Sequence, residues 1–192
     1  MTREAGAAAA ATEPGTGAPA PTAGALTAVL GRAPALAAGE RVMLLGIGND
    51  LRGDDGAGPL VARALEGRVG WEVRAVHGLT PELADDVAGC DVVLFVDADA
   101  DPTRERPGWK HHRLRPDEAS ATALLGHALD VPGLLDLTIR LHGFAPRAAT
   151  LALPARDFAL GETLTPEAAA GVEVAVAALL ALSAASSGRS AG

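Results

Sequence analysis

The chain of 192 residues carries a formal net charge of −8, and 48% of its residues are hydrophobic although only 3% are aromatic. This length suits one domain whose core is built from alanine, leucine and valine, as in helices packed on a buried sheet. The acidic balance and a single lysine argue against the clustered basic face that binds nucleic acid, so no nucleic-acid partner is expected. Cys90 has no second cysteine to pair with, which favours an inert buried thiol in a reducing cytoplasm.

The ends of the chain differ in composition from its centre. Residues 1–39 are rich in alanine, proline, glycine and threonine, which predicts a disordered or low-complexity extension without a secretory signal. The folded domain is predicted over residues 40–185, followed by a flexible tail over 186–192. The apolar stretch 168–185 has the length of a membrane span, but its weakly apolar alanines and Glu173 favour a helix packed over a sheet. No membrane insertion is therefore expected.

Strand and helix patterns alternate along the domain. Strands are predicted at "RVMLLGI" (41–47), "WEVRAVHG" (71–78), "DVVLFVDA" (91–98) and "AATLALPA" (148–155), with the more polar "GWKHHRLRP" (108–116) at an edge. Helices are predicted at 58–67, 80–89 and 131–143, and a last one opens with Thr165 and Pro166. This alternation predicts a single-domain α/β/α sandwich of three layers with a twisted, mostly parallel sheet of about five strands.

The loop "GIGNDLRGDDGAG" (46–58) follows the first strand, at the edge of the sheet where ligands bind in such folds. A dinucleotide fingerprint would require glycine where Leu51 stands, and a phosphate loop would require Gly-Lys-Ser/Thr. The carboxylates of Asp50, Asp54 and Asp55 would also repel a phosphate. The loop therefore favours a carboxylate site over a nucleotide cradle. A second carboxylate, Asp97, ends the most apolar strand, where burial is costly unless the group is paired or binds a ligand.

Three longer stretches resemble one enzyme family. "LLGIGNDLRGDDGAGPLVARAL", "HGLTPELADDVAGCDVVLFVDADAD" and "GHALDVPGLLDL" are similar to the hydrogenase maturation proteases, endopeptidases that trim the C-terminus of a [NiFe] hydrogenase large subunit after nickel insertion. The resemblance runs from about residue 42 to residue 182. It implies that the partner of this chain is the large-subunit precursor.

The same resemblance implies a set of site residues. The family binds metal through an acidic residue of the glycine loop, an aspartate that ends the central strand and a histidine of a later loop. The matching positions are Asp55, Asp97 and His127, separated by 42 (97 − 55) and 30 (127 − 97) residues. Asp55 and Asp97 are also expected to be catalytic. Nickel is expected to arrive within the substrate, and the ligand set leaves open whether another divalent ion, such as zinc, binds the free enzyme.

Several roles stay open at this point. The identity of the general base is open, with Asp54 the first candidate and Asp99 the second. Two rival functions are a non-catalytic hydrogenase assembly chaperone and a nucleotide-binding α/β protein. No Gly-x-Ser-x-Gly pattern suggests a serine nucleophile.

The remaining histidines are weaker candidates than His127 for the third metal ligand. His142 is the alternative third ligand, although its place near a helix end also suits a simple charge effect. His77, at the end of a strand, is a candidate substrate contact. His111 and His112 are expected to be solvated on an edge strand.

Overall fold

The computed structural model describes residues 31–113 and 129–188, so the predicted ligand His127 lies outside the described residues. The strands are β1 (Val42–Ile47), β2 (Glu72–Val76), β3 (Val92–Asp99), β4 (Gly108–His112) and β5 (Arg147–Pro154). The helices are α1 (Ala57–Leu65), α2 (Leu83–Ala88), α3 (Val131–His142) and α4 (Pro166–Ser187), and a short 3-10 helix, Gly53–Gly56, leads into α1.

The sheet has the strand order β2-β1-β3-β5-β4. Neighbouring strands are parallel except β4, which runs antiparallel to β5 at one edge. The apolar strand β3 lies at the centre, where Val92 through Val96 are fully buried. The polar strand β4 occupies an edge because only one of its sides pairs with a strand in the described part of the chain. The predicted α/β fold with a mostly parallel five-stranded sheet is therefore confirmed.

Helices cover both faces of the sheet and form two cores. Leu94 and Val96 of β3 pack in one core with residues of α1 and α4. Val93 and Phe95 pack in the other with residues of α2 and α3. Since side chains alternate along a strand, Asp97 follows Val93 and Phe95 onto the face covered by α2 and α3. The fold thus presents the Asp97 carboxyl on the side of the sheet where α3 begins.

Helix α4 is long and apolar enough to span a membrane when judged by length and composition alone. Ala175 and Leu179 are nevertheless fully buried in the core shared with α1 and the sheet. The helix begins as predicted, since Thr165 accepts a hydrogen bond from the Ala168 amide at 3.3 Å and Pro166 occupies the first turn. Its many alanines allow it to lie close to the sheet.

The packed part of the chain extends beyond the predicted domain limits of residues 40 and 185. Leu36 is only 3% exposed and belongs to the core that contains α1 and α4. The Arg147 guanidinium binds this segment by donating to the Ala35 carbonyl at 2.7 Å and by pairing with Glu40. At the other end, α4 continues to Ser187. Leu36 and the contacts of Arg147 therefore anchor a segment that contains few large apolar residues.

Candidate active site

The glycine loop lies directly against the ends of β1 and β3. A Cβ atom on Gly58 would lie 2.3 Å from the Ile47 carbonyl oxygen and 2.6 Å from that of Val96. At Gly48, where φ is +138°, a Cβ atom would lie 1.8 Å from the Asp55 carbonyl oxygen. These contacts require glycine, because no side chain fits between backbones at such distances. The loop is consequently folded back onto the sheet edge, which brings Asp55 towards Asp97.

The amide groups of the loop are bonded within the protein. The Gly53 amide donates to the Gly161 carbonyl at 2.7 Å, and the Asp54 amide donates to the Asp157 carbonyl at 2.8 Å. The Gly48 amide donates to a carbonyl of β2. A phosphate cradle would need such amides to point freely at the ligand. The geometry therefore disfavours the nucleotide-binding alternative.

Asp55 is held so that one carboxylate oxygen is fixed and the other is available. Its Oδ2 accepts a hydrogen bond from the Asn49 amide at 2.9 Å. In the described residues its other oxygen accepts none, and no lysine or arginine forms an ion pair with it. The side chain is half-buried at the rim of the sheet. Asp55 therefore presents an oriented carboxylate with no cationic side-chain partner among the described residues.

Among the described carboxyl groups, Asp97 is the one whose surroundings most disfavour ionisation. Burial, followed by the negative charges of Asp55 and Asp99, raises the pKa of Asp97 to about 6, although a hydrogen bond from the Ala98 amide acts in the opposite direction. No cationic side chain of residues 31–113 or 129–188 forms an ion pair with it. Asp55 and Asp97 thus come close enough to repel each other, an arrangement that a shared cation would stabilise.

The predicted third ligand is untested by this geometry. The described residues contain no group of three histidine, cysteine, aspartate or glutamate side chains that could hold a metal ion. Leu129, two positions after His127 in the chain, forms an antiparallel bridge with Leu79, just beyond the carboxyl end of β2. The described chain therefore resumes at the same edge of the sheet as Asp55 and Asp97.

Asp54, the first choice for the general base, has a structural role instead. Its side chain is fully buried and accepts four hydrogen bonds at 2.7–3.1 Å, from the amides of Arg156, Asp157 and Thr165 and from the Thr165 hydroxyl. Burial alone would raise the pKa of Asp54, but these hydrogen bonds outweigh it and lower the pKa. A carboxylate saturated in this way is a poor proton acceptor, so the assignment of Asp54 as base is wrong.

Asp99, the second choice, is also engaged. Its Oδ2 pairs with the Arg104 guanidinium at 2.6 Å, and its Oδ1 accepts from the Asp101 amide at 3.0 Å. Burial opposes the effect, but these contacts lower the pKa of Asp99. Among the described carboxyl groups, Asp97 is the one whose pKa is raised towards neutrality. It is therefore the best placed of them to exchange a proton near neutral pH.

A residue that sequence reasoning missed joins the two loops of the site. The Arg156 amide donates to Asp54, and its guanidinium donates to the carbonyls of Asp101, at 3.2 Å, and of Arg104. Arg156 thereby connects the glycine loop to the loop that follows β3. No motif in the sequence marks it, because its partners lie 102, 55 and 52 positions away.

The alternative histidine ligand lies at the wrong end of the sheet. His142 pairs with Asp85 at 2.9 Å and stands just before β5, whose first residue pairs with the first residue of β3. Asp97 is five positions further along β3, about 16 Å away at the usual strand rise. The structure therefore contradicts His142 as third ligand. Cys90 precedes β3 at this same end and is buried, which raises the pKa of its thiol, in agreement with an inert cysteine.

The exposure of the other histidines agrees with the prediction for His111 but not for His112. His111 is exposed, and its Nε2 lies 2.8 Å from the Arg32 carbonyl. His112 is half-buried, with its Nε2 2.8 Å from the Thr150 hydroxyl and its ring edge-on to Phe95. The expectation of a solvated His112 is wrong because its side of the strand faces the core. His77 is exposed just after β2, and its predicted substrate contact stays a prediction.

Comparisons with known proteins identify structural relatives. No family model and no curated protein matches the chain. A hydrogenase 2 maturation peptidase from Thaumarchaeota archaeon SCGC_AB-539-E09 is 25% identical with a TM-score of 0.56, over 73% of this chain and 96% of that one. The [NiFe] hydrogenase maturation protease HybD from Thermococcus kodakarensis is 25% identical with a TM-score of 0.55, over 74% and 99% of the two chains.

A third solved structure agrees with these two. The [NiFe] hydrogenase maturation protease HycI from Thermococcus kodakarensis KOD1 is 26% identical with a TM-score of 0.53, over 74% of this chain and 92% of that one. The three likenesses span almost the whole length of each relative. The chain is therefore similar in fold and in sequence to solved hydrogenase maturation proteases, and these likenesses support a peptidase.

Proposed function

We propose that this chain is the endopeptidase that removes the C-terminal peptide of a [NiFe] hydrogenase large-subunit precursor after nickel insertion. The names of the structural relatives support the class of substrate. The observation that carries the proposal is the pair Asp55 and Asp97, two carboxyl groups that lie close at the sheet edge without a cationic partner in the described residues. Such a pair gains most when the substrate itself brings the positive charge.

The side chains proposed to meet the nickel of the substrate are Asp55, Asp97 and His127. Carboxylate oxygen and imidazole nitrogen suit a borderline divalent ion, and three protein ligands leave positions for groups of the precursor. When bound, nickel would supply polarisation of the scissile carbonyl or of a water molecule. Support for His127 comes from Leu129, which holds the following chain segment at this edge through Leu79. Recognition of nickel would thus test whether assembly of the precursor is complete.

The proton transfer is assigned to the residues of this chain. A carboxylate oxygen of Asp97 left free of the nickel can accept a proton from the attacking water and return it to the nitrogen of the leaving peptide. Asp55 is oriented by the Asn49 amide, which prevents the half-buried carboxylate from rotating away. The reaction is placed in the cytoplasm, a compartment compatible with the free thiol of Cys90.

The proposal is tested by incubating the protein with nickel-loaded and nickel-free precursor and measuring the mass of the large subunit. Only the loaded precursor is expected to become shorter. Asp97→Asn should abolish this cleavage, whereas Asp91→Asn, the same change just before the opposite end of the same strand, should leave it intact. Cleavage that ignores nickel, or that survives Asp97→Asn, would contradict the mechanism. Loss of cleavage with His127→Ala would support the third ligand.

A further inference from the structure

The Arg104 guanidinium lies beside the carboxyl pair and keeps two nitrogen atoms available as donors. Its Nε donates to the Asp99 Oδ2 at 2.6 Å, and within the described residues its Nη1 and Nη2 donate no hydrogen bond. The side chain is 27% exposed, so a partner can reach these nitrogens. We propose that Arg104 binds the substrate, with Nη1 and Nη2 donating to a main-chain carbonyl of the hydrogenase large-subunit precursor. This inference rests on the proposed function.

Arg104 lies on the same side of the sheet as Asp97. Asp99 follows Asp97 by two positions in β3, and side chains at this spacing point to the same face. Gly108 of β4 is in register with Ala152 of β5, which is in register with Asp97. A Cβ atom on Gly108 would lie 3.0 Å from the Arg104 Nη1. The guanidinium therefore lies over the second strand from Asp97, about 10 Å away at the usual spacing of strands.

The loop that carries Arg104 is fixed by hydrogen bonds. The Arg104 amide donates to the Asp101 carbonyl at 3.0 Å, and the Thr103 amide and hydroxyl donate to the Asp101 Oδ1 at 2.8 and 2.7 Å. The Arg156 guanidinium donates to the carbonyls of Asp101 and Arg104. Since Asp99 also holds its Nε, the Arg104 side chain loses little freedom when a partner binds.

The charge and the position of Arg104 favour a neutral acceptor in an extended chain. Asp99 already balances the positive charge of Arg104, so a carboxylate partner is not required. The two free nitrogens can instead donate to the lone pairs of a main-chain carbonyl. An extended peptide advances about 3.3 Å per residue, so a precursor that brings nickel to Asp55 and Asp97 reaches Arg104 about three residues further along. Arg104 thus selects the direction in which the precursor leaves the carboxyl pair.

The inference is tested with Arg104→Met and Arg104→Lys in the nickel-dependent cleavage assay. Arg104→Met should lower kcat/KM for nickel-loaded precursor by about tenfold or more, the loss expected when a charged donor to the substrate is removed. Arg104→Lys keeps the positive charge beside Asp99 but loses the forked donors, so its kcat/KM should also fall. A wild-type kcat/KM in either variant would overturn the inference.

The double variant Asp99→Asn/Arg104→Met separates substrate binding from charge balance. If Arg104 binds the precursor, the double variant should cleave as slowly as Arg104→Met. A return to the wild-type kcat/KM would mean that Arg104 only neutralises Asp99, and would overturn the inference. The matched control is Arg41→Met/Asp91→Asn, which removes an ion pair at the opposite end of the sheet and should leave kcat/KM unchanged. An equal fall in this control would also overturn the inference.

Salt dependence identifies the acceptor on the precursor. For a neutral carbonyl, the ratio of kcat/KM between wild type and double variant should be equal at about 0.05 M and about 0.5 M NaCl. A ratio that falls with salt would assign the contact to a carboxylate and overturn the main-chain assignment. Each of these outcomes leaves the proposed function intact. Wild-type protein that leaves nickel-loaded precursor uncut would reject the proposed function, and the role of Arg104 with it.

Discussion

Replacing Asp97 by asparagine should stabilise the free protein at neutral pH while it abolishes cleavage. Burial and the charges of Asp55 and Asp99 raise the pKa of Asp97 from 3.8 to about 6, which corresponds to an unfavourable contribution of about 3 kcal/mol when the group is ionised. Asparagine has the same shape, carries no charge and can still accept the Ala98 hydrogen bond. The free energy of unfolding of Asp97→Asn should therefore exceed that of the wild type by about 2 to 3 kcal/mol at pH 7.5.

The sign of the pH dependence makes this prediction specific. Because the folded-state pKa lies above the unfolded one, the wild type bears the full cost above pH 6 and loses it as the pH falls towards 4. Urea denaturation with a chelator present should show the advantage of Asp97→Asn at pH 7.5 and its disappearance near pH 4. Asp91→Asn serves as the matched control. A destabilised Asp97→Asn protein, or a gain that is the same at both pH values, would refute the account of Asp97.

Further predictions concern the groups around the site. Asp54→Asn places donors against buried amides and should lower the free energy of unfolding by about 3 to 5 kcal/mol in urea denaturation; a loss under about 1 kcal/mol would contradict its structural role. Arg156→Met should reduce kcat about tenfold with a change in unfolding free energy under about 1 kcal/mol, because the exposed guanidinium holds the loop after β3 while the backbone amide that binds Asp54 is kept; unchanged kcat would argue against a role for this side chain in positioning that loop. The kcat/KM for nickel-loaded precursor should fall as the pH drops through about 6, since this ratio reports the free protein, in which Asp97 becomes protonated, and a flat kcat/KM between pH 5 and pH 7.5 would count against it. Burial is the largest cause that lowers the pKa of His112 below its ordinary value of 6.5. The folded protein therefore favours neutral His112, and the stability is full above pH 6.5 and decreases as the pH falls below it. His112→Gln should show a smaller fall in Tm than the wild type between pH 7.5 and pH 5.

The strands and helices could be predicted because their signals are local. The continuous apolar run before Asp97 indicates a strand covered on both faces, and β3 lies at the centre of the sheet with helices on both sides. Thr165 and Pro166 mark the start of the last helix through capping and backbone geometry that depend on a few neighbouring residues. Even the edge position of β4 follows from its own polar sequence.

The roles of adjacent carboxylates could not be predicted in the same way. Asp54 and Asp55 are neighbours in a loop, and nothing in the sequence indicates which side chain points inward. The direction is decided by amides of Arg156, Asp157 and Thr165, more than 100 positions away. The placement of His112 likewise depends on which face of β4 meets Phe95. Long-range partners, not local preferences, distinguish a structural carboxylate from a functional one.

The distribution of partners explains how the fold can keep one carboxyl group in an unfavourable state. Asp50, Asp54 and Asp99 are each neutralised by an arginine or saturated by hydrogen bonds, so their negative charge stabilises the loops in which they lie. Asp97 receives no such cation from the described residues, and the loops anchored by its neighbours prevent it from moving into water. The loops that hold Asp55 and Asp97 are thus fixed by the ion pairs and hydrogen bonds of Asp50, Asp54 and Asp99, so the two carboxyl groups stay close although they repel each other. A cation that entered the site would relieve that repulsion, as protonation of Asp97 does, so under the proposed function a nickel-bearing precursor would bind more tightly than an empty one.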